Sequence, residues 1–274
     1  MYDDMLSSFY GKCIKYDTIK LYRRRATRDS RGADATMHEY YEKNKDKLKK
    51  AMDGYLKLIA EELEAELNRP YEAIFEEAWR YYETEILEKF PYIGGDQSSG
   101  TRNLTGAYGY VALGVVCTQY GMSLERWGYL TTLAYTRYFE KLPKVVRKLG
   151  GKAFRSPRLV NTLLKKKDAK NAANAQAYPG SFETKTQPPT AEYPAIYHNL
   201  VCPLADFAKK YGYMAYMPYI CNLDYVMFEV IGVPFYREKT CAAGDAYCDF
   251  KLKLGAPIVP AWPCHGTNPE DPLK

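Results

Sequence analysis

Residues 247–254, with the sequence YCDFKLKL, predict a β-strand with one buried face. Apolar and polar side chains alternate along this stretch, with Cys248, Phe250, Leu252 and Leu254 on one side and Tyr247, Asp249, Lys251 and Lys253 on the other. Successive side chains of a strand point to opposite faces, which is why alternation indicates a strand. Two further β-like runs lie at residues 195–202 and 234–240. Together the three runs predict a small antiparallel sheet.

The half of the chain before these runs is predicted to be helical. Apolar residues recur there at steps of three and four and so line one face of a helix: Leu48, Met52, Tyr55, Ile59, Leu63 and Leu67. A second helix follows Pro70, and two more cover residues 103–119 and 123–142, with Ser123 as the N-cap of the last. Short helices at residues 203–211 and 222–231 separate the β-like runs. The predicted class is α+β, a helical half followed by a small sheet with short helices.

Changes in composition divide the 274 residues into three regions. Residues 1–36 are polar and basic and are interpreted as an N-terminal arm. Residues 37–170 form the helical region. Residues 171–274 form the α+β region, which begins with a connector at 171–190 that is rich in Ala, Asn, Gln, Pro and Gly. We expect the last two regions to fold as one integrated domain.

Composition and cysteine usage narrow the class of protein. Hydrophobic residues make up 46% and charged residues 26% of the chain, which excludes a disordered or coiled-coil protein. The uncharged stretch at residues 103–124 is interrupted by polar residues and glycines, so we do not predict a membrane span. The acidic start, Met1-Tyr2-Asp3-Asp4, does not resemble a secretory signal, and the seven cysteines are an odd number. We therefore expect a cytoplasmic protein with free thiols.

Basic charge is concentrated at residues 141–170. This segment carries eleven basic residues and a single acid, Asp168, while the whole chain has a net charge of +6. The simplest interpretation is a solvated helix face with an adjoining loop. Such a strip could also steer an anionic substrate or hold a nucleic-acid backbone. No recognisable nucleic-acid module surrounds it, so we do not expect a nucleic-acid partner.

Residues that could carry chemistry are concentrated between positions 195 and 250. Cys221 and Asp224 share a helix face near a predicted helix start, where the helix dipole favours a thiolate; alternatively, Asp224 only complements that dipole. Cys248 and Asp249 face opposite sides of their strand and cannot pair directly. No Cys-x-x-Cys occurs, which argues against a structural zinc site. His198 and Cys202 lie about 13 Å apart along an extended strand, too far for direct pairing.

The spacing of these residues resembles a known enzyme family. The pattern is Cys202-Pro203, Cys221-x-x-Asp224, Arg237-x-x-Thr240 and Gly244-Asp245-x-x-Cys248-Asp249-Phe250. It is similar to that of the L-2-amino-thiazoline-4-carboxylic acid hydrolase family, most clearly over residues 195–254. The resemblance implies an α+β hydrolase that opens a five-membered cyclic amidine at its carbon–nitrogen bond. Cys241 departs from the pattern, because an apolar residue is expected after Thr240.

The chemistry of opening such a ring, which needs a nucleophile and an acid, suggests roles for individual residues. Cys221 or Cys248 would attack the ring, and Asp224 or Asp249 would move the proton. Arg237 would hold a substrate carboxylate through a two-pronged contact, with Thr240, Cys202 and His198 also lining the site. The expected partner is a small carboxylate-bearing heterocycle.

Three questions stay open at this point. No cofactor is predicted, but water activated by a divalent metal is a competing mechanism. A sensory domain that binds a small ligand without turnover is the alternative function. The helical half could form a homo-oligomer surface or bury its faces within one subunit.

Overall fold

The protein is described here by a computed structural model, which covers residues 37–154, 156–253 and 255–265. The N-terminal arm predicted at residues 1–36 lies outside this part of the chain. The described residues form a long series of helices followed by a four-stranded antiparallel sheet with short helices between its strands. The predicted α+β class is therefore confirmed.

The α-helices of the described residues are α1 (Glu39–Lys43), α2 (Lys45–Leu56), α3 (Ala60–Leu67), α4 (Tyr71–Tyr81), α5 (Ser99–Gln119), α6 (Leu124–Glu140), α7 (Lys144–Phe154), α8 (Pro157–Ala177), α9 (Pro203–Tyr211) and α10 (Met217–Val230). A 3-10 turn at Lys57–Ile59 joins α2 to α3, and a π-helical turn at Tyr82–Ile86 extends α4. None of these helices is long and apolar enough to cross a membrane.

The predicted apolar stripe of the first helices is confirmed. Met52, Ile59 and Leu63 are buried, and Tyr55 packs half-buried with its ring 4.6 Å from that of Tyr110. The predicted cap is also present, because the Ser123 hydroxyl accepts a hydrogen bond from the Arg126 amide at 3.0 Å at the start of α6. Local periodicity and capping chemistry thus determine these elements.

The sheet has the strand order β1-β2-β4-β3, where β1 is Glu183–Gln187, β2 is Ala195–Val201, β3 is Phe235–Tyr236 and β4 is Cys248–Leu252. Across β2 and β4, Tyr197 lies opposite Phe250, His198 opposite Asp249 and Asn199 opposite Cys248. Three residues of the apolar side predicted for β4, Cys248, Phe250 and Leu252, are buried as expected, and the fourth, Leu254, lies outside the described residues. Asp249, on the predicted polar side, is only 5% exposed as well.

Two boundaries differ from the sequence-based expectation. The connector predicted at 171–190 is helix up to Ala177 and strand at Glu183–Gln187. The Asp168 carboxylate on α8 binds this strand, accepting the Thr184 hydroxyl at 2.7 Å and the Thr186 amide at 2.6 Å. β3 is shorter than the predicted run at 234–240. For β1 the stabilising side chain, Asp168, lies on another element, which composition alone does not reveal.

The core places α10 against α6 and so positions the candidate site. Trp127 on α6 is fully buried, with its indole N–H donating to the Tyr110 carbonyl at 3.1 Å. The ring of Tyr219 on α10 stands edge-on to Trp127 at 5.6 Å. Gly128 makes this approach possible, because a Cβ there would overlap the Tyr219 ring. The close packing fixes the α10 residues that face the sheet.

Two adjacent glycines in α7 provide a test of how α7 packs against the end of α10. A Cβ at Gly151 would overlap the Ile231 carbonyl oxygen at the end of α10, whereas a Cβ at Gly150 meets nothing. We predict that Gly151→Ala lowers the free energy of unfolding by about 1–3 kcal/mol through overpacking. Gly150→Ala should raise it by about 0.5–1 kcal/mol, since alanine favours a helix over glycine. Urea denaturation of both variants measures this, and equal effects would contradict the packing.

Candidate active site

The segment between β3 and β4 is built by side chains that bind its backbone. The Thr240 hydroxyl accepts from the Ala243 amide at 3.0 Å, and the Thr240 amide donates to the Asp245 carboxylate at 2.9 Å. Gly244 has φ 96°, a conformation that favours glycine. Thr240, Gly244 and Asp245 therefore shape this turn. This turn connects the segment that contains Arg237 to the strand that contains Cys248, and Cys241 lies within it.

Asp249 also holds this segment in place. One of its oxygens accepts the Glu238 amide at 2.9 Å and the Lys239 amide at 2.6 Å, and the other pairs with the Lys251 ammonium at 3.0 Å. The Asp249 amide in turn donates to the Lys239 carbonyl at 3.2 Å, so Asp249 binds this segment through its side chain and its backbone, beyond the end of β3 at Tyr236. Asp249 thus lies next to the site with both of its oxygens engaged.

Arg237 is the buried centre of the site. Its side chain is 5% exposed, and it donates to the Asp224 carboxylate and to the Cys221 carbonyl oxygen, each at 2.6 Å. The rings of Tyr225, Phe235 and Phe250 surround the guanidinium at 5.3 to 5.6 Å. Burial lowers the pKa of Arg237, but neighbouring negative charge, led by Asp224, raises it above its usual value. Binding a substrate carboxylate would require Arg237 to release one of these partners.

Asp224 connects Arg237 to solvent. Its side chain is 39% exposed, and only its Oδ2 is held by Arg237, so among the described residues Oδ1 has no hydrogen-bond partner. Its negative charge affects the pKa values of residues on three other elements. Burial first and Asp224 second raise the pKa of Tyr135 on α6 and of Tyr197 on β2, while Asp224 opposes the lowering effect of burial on Lys167 of α8. We call Tyr135, Lys167, Tyr197, Asp224 and Arg237 the Asp224 cluster.

The sequence analysis missed Tyr135, Lys167 and Tyr197. A signal for Lys167 exists in the periodicity of α8, where Val160, Leu164 and Asn171 are buried and define the inward stripe. Position 167 falls on this stripe, between 164 and 171. A lysine at such a position is unusual. It did not stand out in the sequence, because the surrounding segment at residues 141–170 is rich in lysine and arginine. Tyr135 and Tyr197 carry no comparable local signal.

Four cysteines near Arg237 form a second group. We call Cys202, Cys221, Cys241 and Cys248 the thiol cluster. They influence one another's ionisation, and Arg237 favours the thiolate of both Cys221 and Cys248. Within the described residues, no three His, Cys, Asp or Glu side chains are arranged to hold a metal ion. The thiol cluster is therefore a set of neighbouring thiols without the geometry of a metal site.

Cys221 does not occupy the helix start that the sequence suggested. Helix α10 begins at Met217 rather than at residue 222, so Cys221 lies in the second turn, where the dipole effect is weak. Burial raises the pKa of its thiol to about 12, although Arg237 acts in the opposite direction. Its carbonyl oxygen, not its sulfur, binds Arg237. The Cys221 sulfur is thus a neutral thiol near pH 7.

Cys241 and Cys248 are free thiols that are joined by a hydrogen bond. The Cys241 amide donates to the Cys248 sulfur at 3.2 Å, and the Cys241 thiol donates to the Asn199 carbonyl at 3.6 Å. The contact between the two thiols raises the pKa of Cys248, assisted by burial, and lowers the pKa of Cys241. The unexpected cysteine after Thr240 is therefore the more acidic thiol of this pair.

The two remaining predicted residues lie at the edges of the site. Cys202 is the N-cap of α9, and burial raises the pKa of its thiol. His198 stacks on Tyr247 with ring centres 4.0 Å apart, and burial lowers its pKa. On the sheet it lies opposite Asp249 and on the face away from Tyr197. His198 is thus a packed histidine, and its role in substrate binding stays a prediction.

The bonds of Asp249 allow a structural role to be separated from a catalytic one. Asp249→Ala leaves the Glu238 and Lys239 amide N–H groups without their acceptor and leaves Lys251 with Glu238 as its one remaining acidic partner, so we predict a loss of about 2–4 kcal/mol in the free energy of unfolding. Asp249→Asn keeps an oxygen that can accept both amides and should lose less than half as much. Both values come from urea denaturation. An Asp249→Asn variant that is fully stable but inactive would show instead that Asp249 takes part in the reaction.

Comparison with known sequences supports the family resemblance. Residues 136–252 match the profile of the family described as L-2-amino-thiazoline-4-carboxylic acid hydrolase. This range is less than half of the chain, and it contains the end of α6, all of β1 to β4, the thiol cluster and every member of the Asp224 cluster except Tyr135. No curated protein and no solved structure matches the chain. Residues 136–252 therefore carry the signature of the L-2-amino-thiazoline-4-carboxylic acid hydrolase family.

Proposed function

We propose that this protein hydrolyses a carbon–nitrogen bond of a small cyclic amidine at the Asp224 cluster. The observation that carries the proposal is the state of the Asp224 carboxylate. Its Oδ2 is fixed at 2.6 Å by the buried Arg237, whereas the side chain remains 39% exposed. A carboxylate that is held on one side and open on the other can bind a ligand in a defined orientation.

A cyclic amidine matches this carboxylate chemically. Its protonated form is planar and carries N–H donors and a positive charge, so it can form charge-assisted hydrogen bonds to Asp224. The Asp224 charge also contributes to the raised pKa values of Tyr135 and Tyr197, after burial, and a cation bound at Asp224 would offset this charge. The family signature in residues 136–252 supports the same substrate class.

The reaction requires only water and a group that moves a proton. Water adds to the amidine carbon, forming the new oxygen–carbon bond, and Asp224 accepts the proton that the water loses. Asp224 then gives this proton to the ring nitrogen as the carbon–nitrogen bond breaks. The hydroxyl on the carbon passes its remaining proton to the departing nitrogen, so that the carbon retains the oxygen as a carbonyl group and the nitrogen leaves as an ammonium group on the opened ring.

The thiols offer a second route to the same products. A thiolate is the reactive form of cysteine, and the raised pKa values of Cys221 and Cys248 leave little of it near neutral pH. Attack by water is therefore favoured over attack by the Cys221 or Cys248 sulfur. Cys221→Ser and Cys248→Ser variants should therefore keep turnover within a few-fold of the wild type, and loss of turnover in either would favour attack by that sulfur.

The central test of the proposal is Asp224→Asn, assayed on 2-amino-thiazoline-4-carboxylate and related cyclic amidines, lactams and imides. Asparagine can still accept the Arg237 hydrogen bond but cannot take up a proton. We predict that kcat/KM falls at least about 100-fold, within the usual range for a lost acid–base group. Glu238→Gln is the matched control, since Glu238 is an exposed acid on the same segment as Arg237.

Other results would point to another function. If the wild-type protein binds these rings and returns them all unchanged, it is a sensory binding domain rather than a hydrolase. If Asp224→Asn turns over as fast as the wild type while remaining folded by thermal melting, the chemistry does not depend on the Asp224 cluster.

A further inference from the structure

We propose that helix α7 binds the surface of an anionic lipid bilayer. The helix would lie in the plane of the lipid headgroups, with its apolar side chains inserted between them and its lysines at the lipid phosphates. The inference does not depend on the hydrolase proposal, because no residue that carries it belongs to the Asp224 cluster or the thiol cluster.

Large apolar side chains are exposed on and around α7. Val145 is 65%, Val146 47% and Leu149 63% exposed. On a helix with 3.6 residues per turn, these three side chains span about 100° around the axis, and we call them the α7 stripe. Further exposed apolar side chains lie before and after the helix: Tyr138, Leu142, Leu159 and Leu163. Exposed apolar surface of this kind marks a binding site for a protein or a membrane.

The opposite side of α7 is the one that packs on the protein. Phe154 stands edge-on to Phe228 of α10 with ring centres 5.8 Å apart, and a Cβ at Gly151 would overlap the Ile231 carbonyl oxygen. Phe154 and Gly151 lie roughly 140° and 200° further round the helix axis than Leu149. The α7 stripe therefore faces away from the packed side, and the described core does not cover it.

A row of lysines runs beside the α7 stripe. Lys144, Lys148 and Lys152 recur every four residues, so they lie one above another on the helix, and all three are exposed. None of them forms an ion pair with another described residue. The sequence contains no acidic residue from position 141 to 167, so this edge of the helix is positively charged along its whole length.

An occupant of this surface must be both apolar and negatively charged. A nucleic-acid backbone would neutralise the lysines but leave the α7 stripe in water. A second copy of the chain, packed across a two-fold axis, would bring two rows of lysines together. Lysine is also depleted in the interfaces of protein complexes, whereas helices with lysines beside an apolar stripe are typical of bilayer surfaces. These features favour a bilayer with anionic headgroups.

Sedimentation of the full chain with sucrose-loaded vesicles tests the inference. The wild type should bind vesicles of equal parts phosphatidylglycerol and phosphatidylcholine at least about 10-fold more tightly than vesicles of phosphatidylcholine alone, and less tightly in high salt. Leu149→Asp should weaken binding to the anionic vesicles at least about 10-fold, because it places a charge where an apolar side chain inserts. Lys148→Glu should weaken it about 10- to 30-fold, since each positive charge at the surface contributes a factor of about 5.

Two exposed residues outside α7 provide matched controls. Leu200→Asp, on β2, introduces the same charge at an exposed leucine, and Lys50→Glu, on α2, makes the same change in net charge as Lys148→Glu. Both should bind the anionic vesicles within about twofold of the wild type, because their charges lie away from the bilayer and are screened. Thermal melting checks that each variant is folded, and Val145→Asp is a second variant of the α7 stripe.

Three results would overturn the inference. In the first, the wild type does not bind the anionic vesicles. In the second, folded Leu149→Asp binds them as well as the wild type does, or Leu200→Asp weakens binding equally, so that net charge alone explains the binding. In the third, light scattering shows a wild-type dimer that Leu149→Asp converts into a monomer, because the α7 stripe is then an interface between copies.

Discussion

The structure of the site depends on one buried cation. Burying a guanidinium is costly unless its hydrogen bonds and charge are satisfied. Arg237 meets this condition with groups from α10, namely the Asp224 carboxylate and the Cys221 carbonyl, and with the faces of three aromatic rings. These contacts fix α10 against the end of the sheet. They also fix the orientation in which Asp224 meets solvent.

The motif that resembles the hydrolase family has two physical parts. Thr240, Gly244 and Asp245 form the turn between β3 and β4, and Asp249 binds the backbone just before it. Arg237, Asp224 and the cysteines are the groups that this frame brings together. Several residues of the family pattern therefore hold the backbone of the site in place. The remaining residues of the pattern are the ones that can contact a ligand. Arg237 links the two clusters, because it binds the Asp224 carboxylate and favours the thiolates of Cys221 and Cys248.

Local sequence patterns predicted those elements that depend on interactions between residues close in sequence. The stripe of Met52, Ile59 and Leu63, the Ser123 cap and the alternation of β4 all follow from side chains a few residues apart. Strand β1 was missed because Asp168 and β2 hold it in place, and both are tertiary partners. Asp249 was interpreted as a reactive acid because no local pattern shows that it is buried and binds two amides. Lys167 was hidden because the surrounding charges are solvated, although its helical position was visible.

A crystal structure of the protein with thiazolidine-4-carboxylate bound would test the central claim most directly. The account predicts that the ring nitrogen of the ligand lies at hydrogen-bond distance from the Asp224 carboxylate. Arg237 should keep its bonds to Asp224 and the Cys221 carbonyl. A ligand seated instead against Cys241 and Cys248, or held by an Arg237 that has left Asp224, would contradict it.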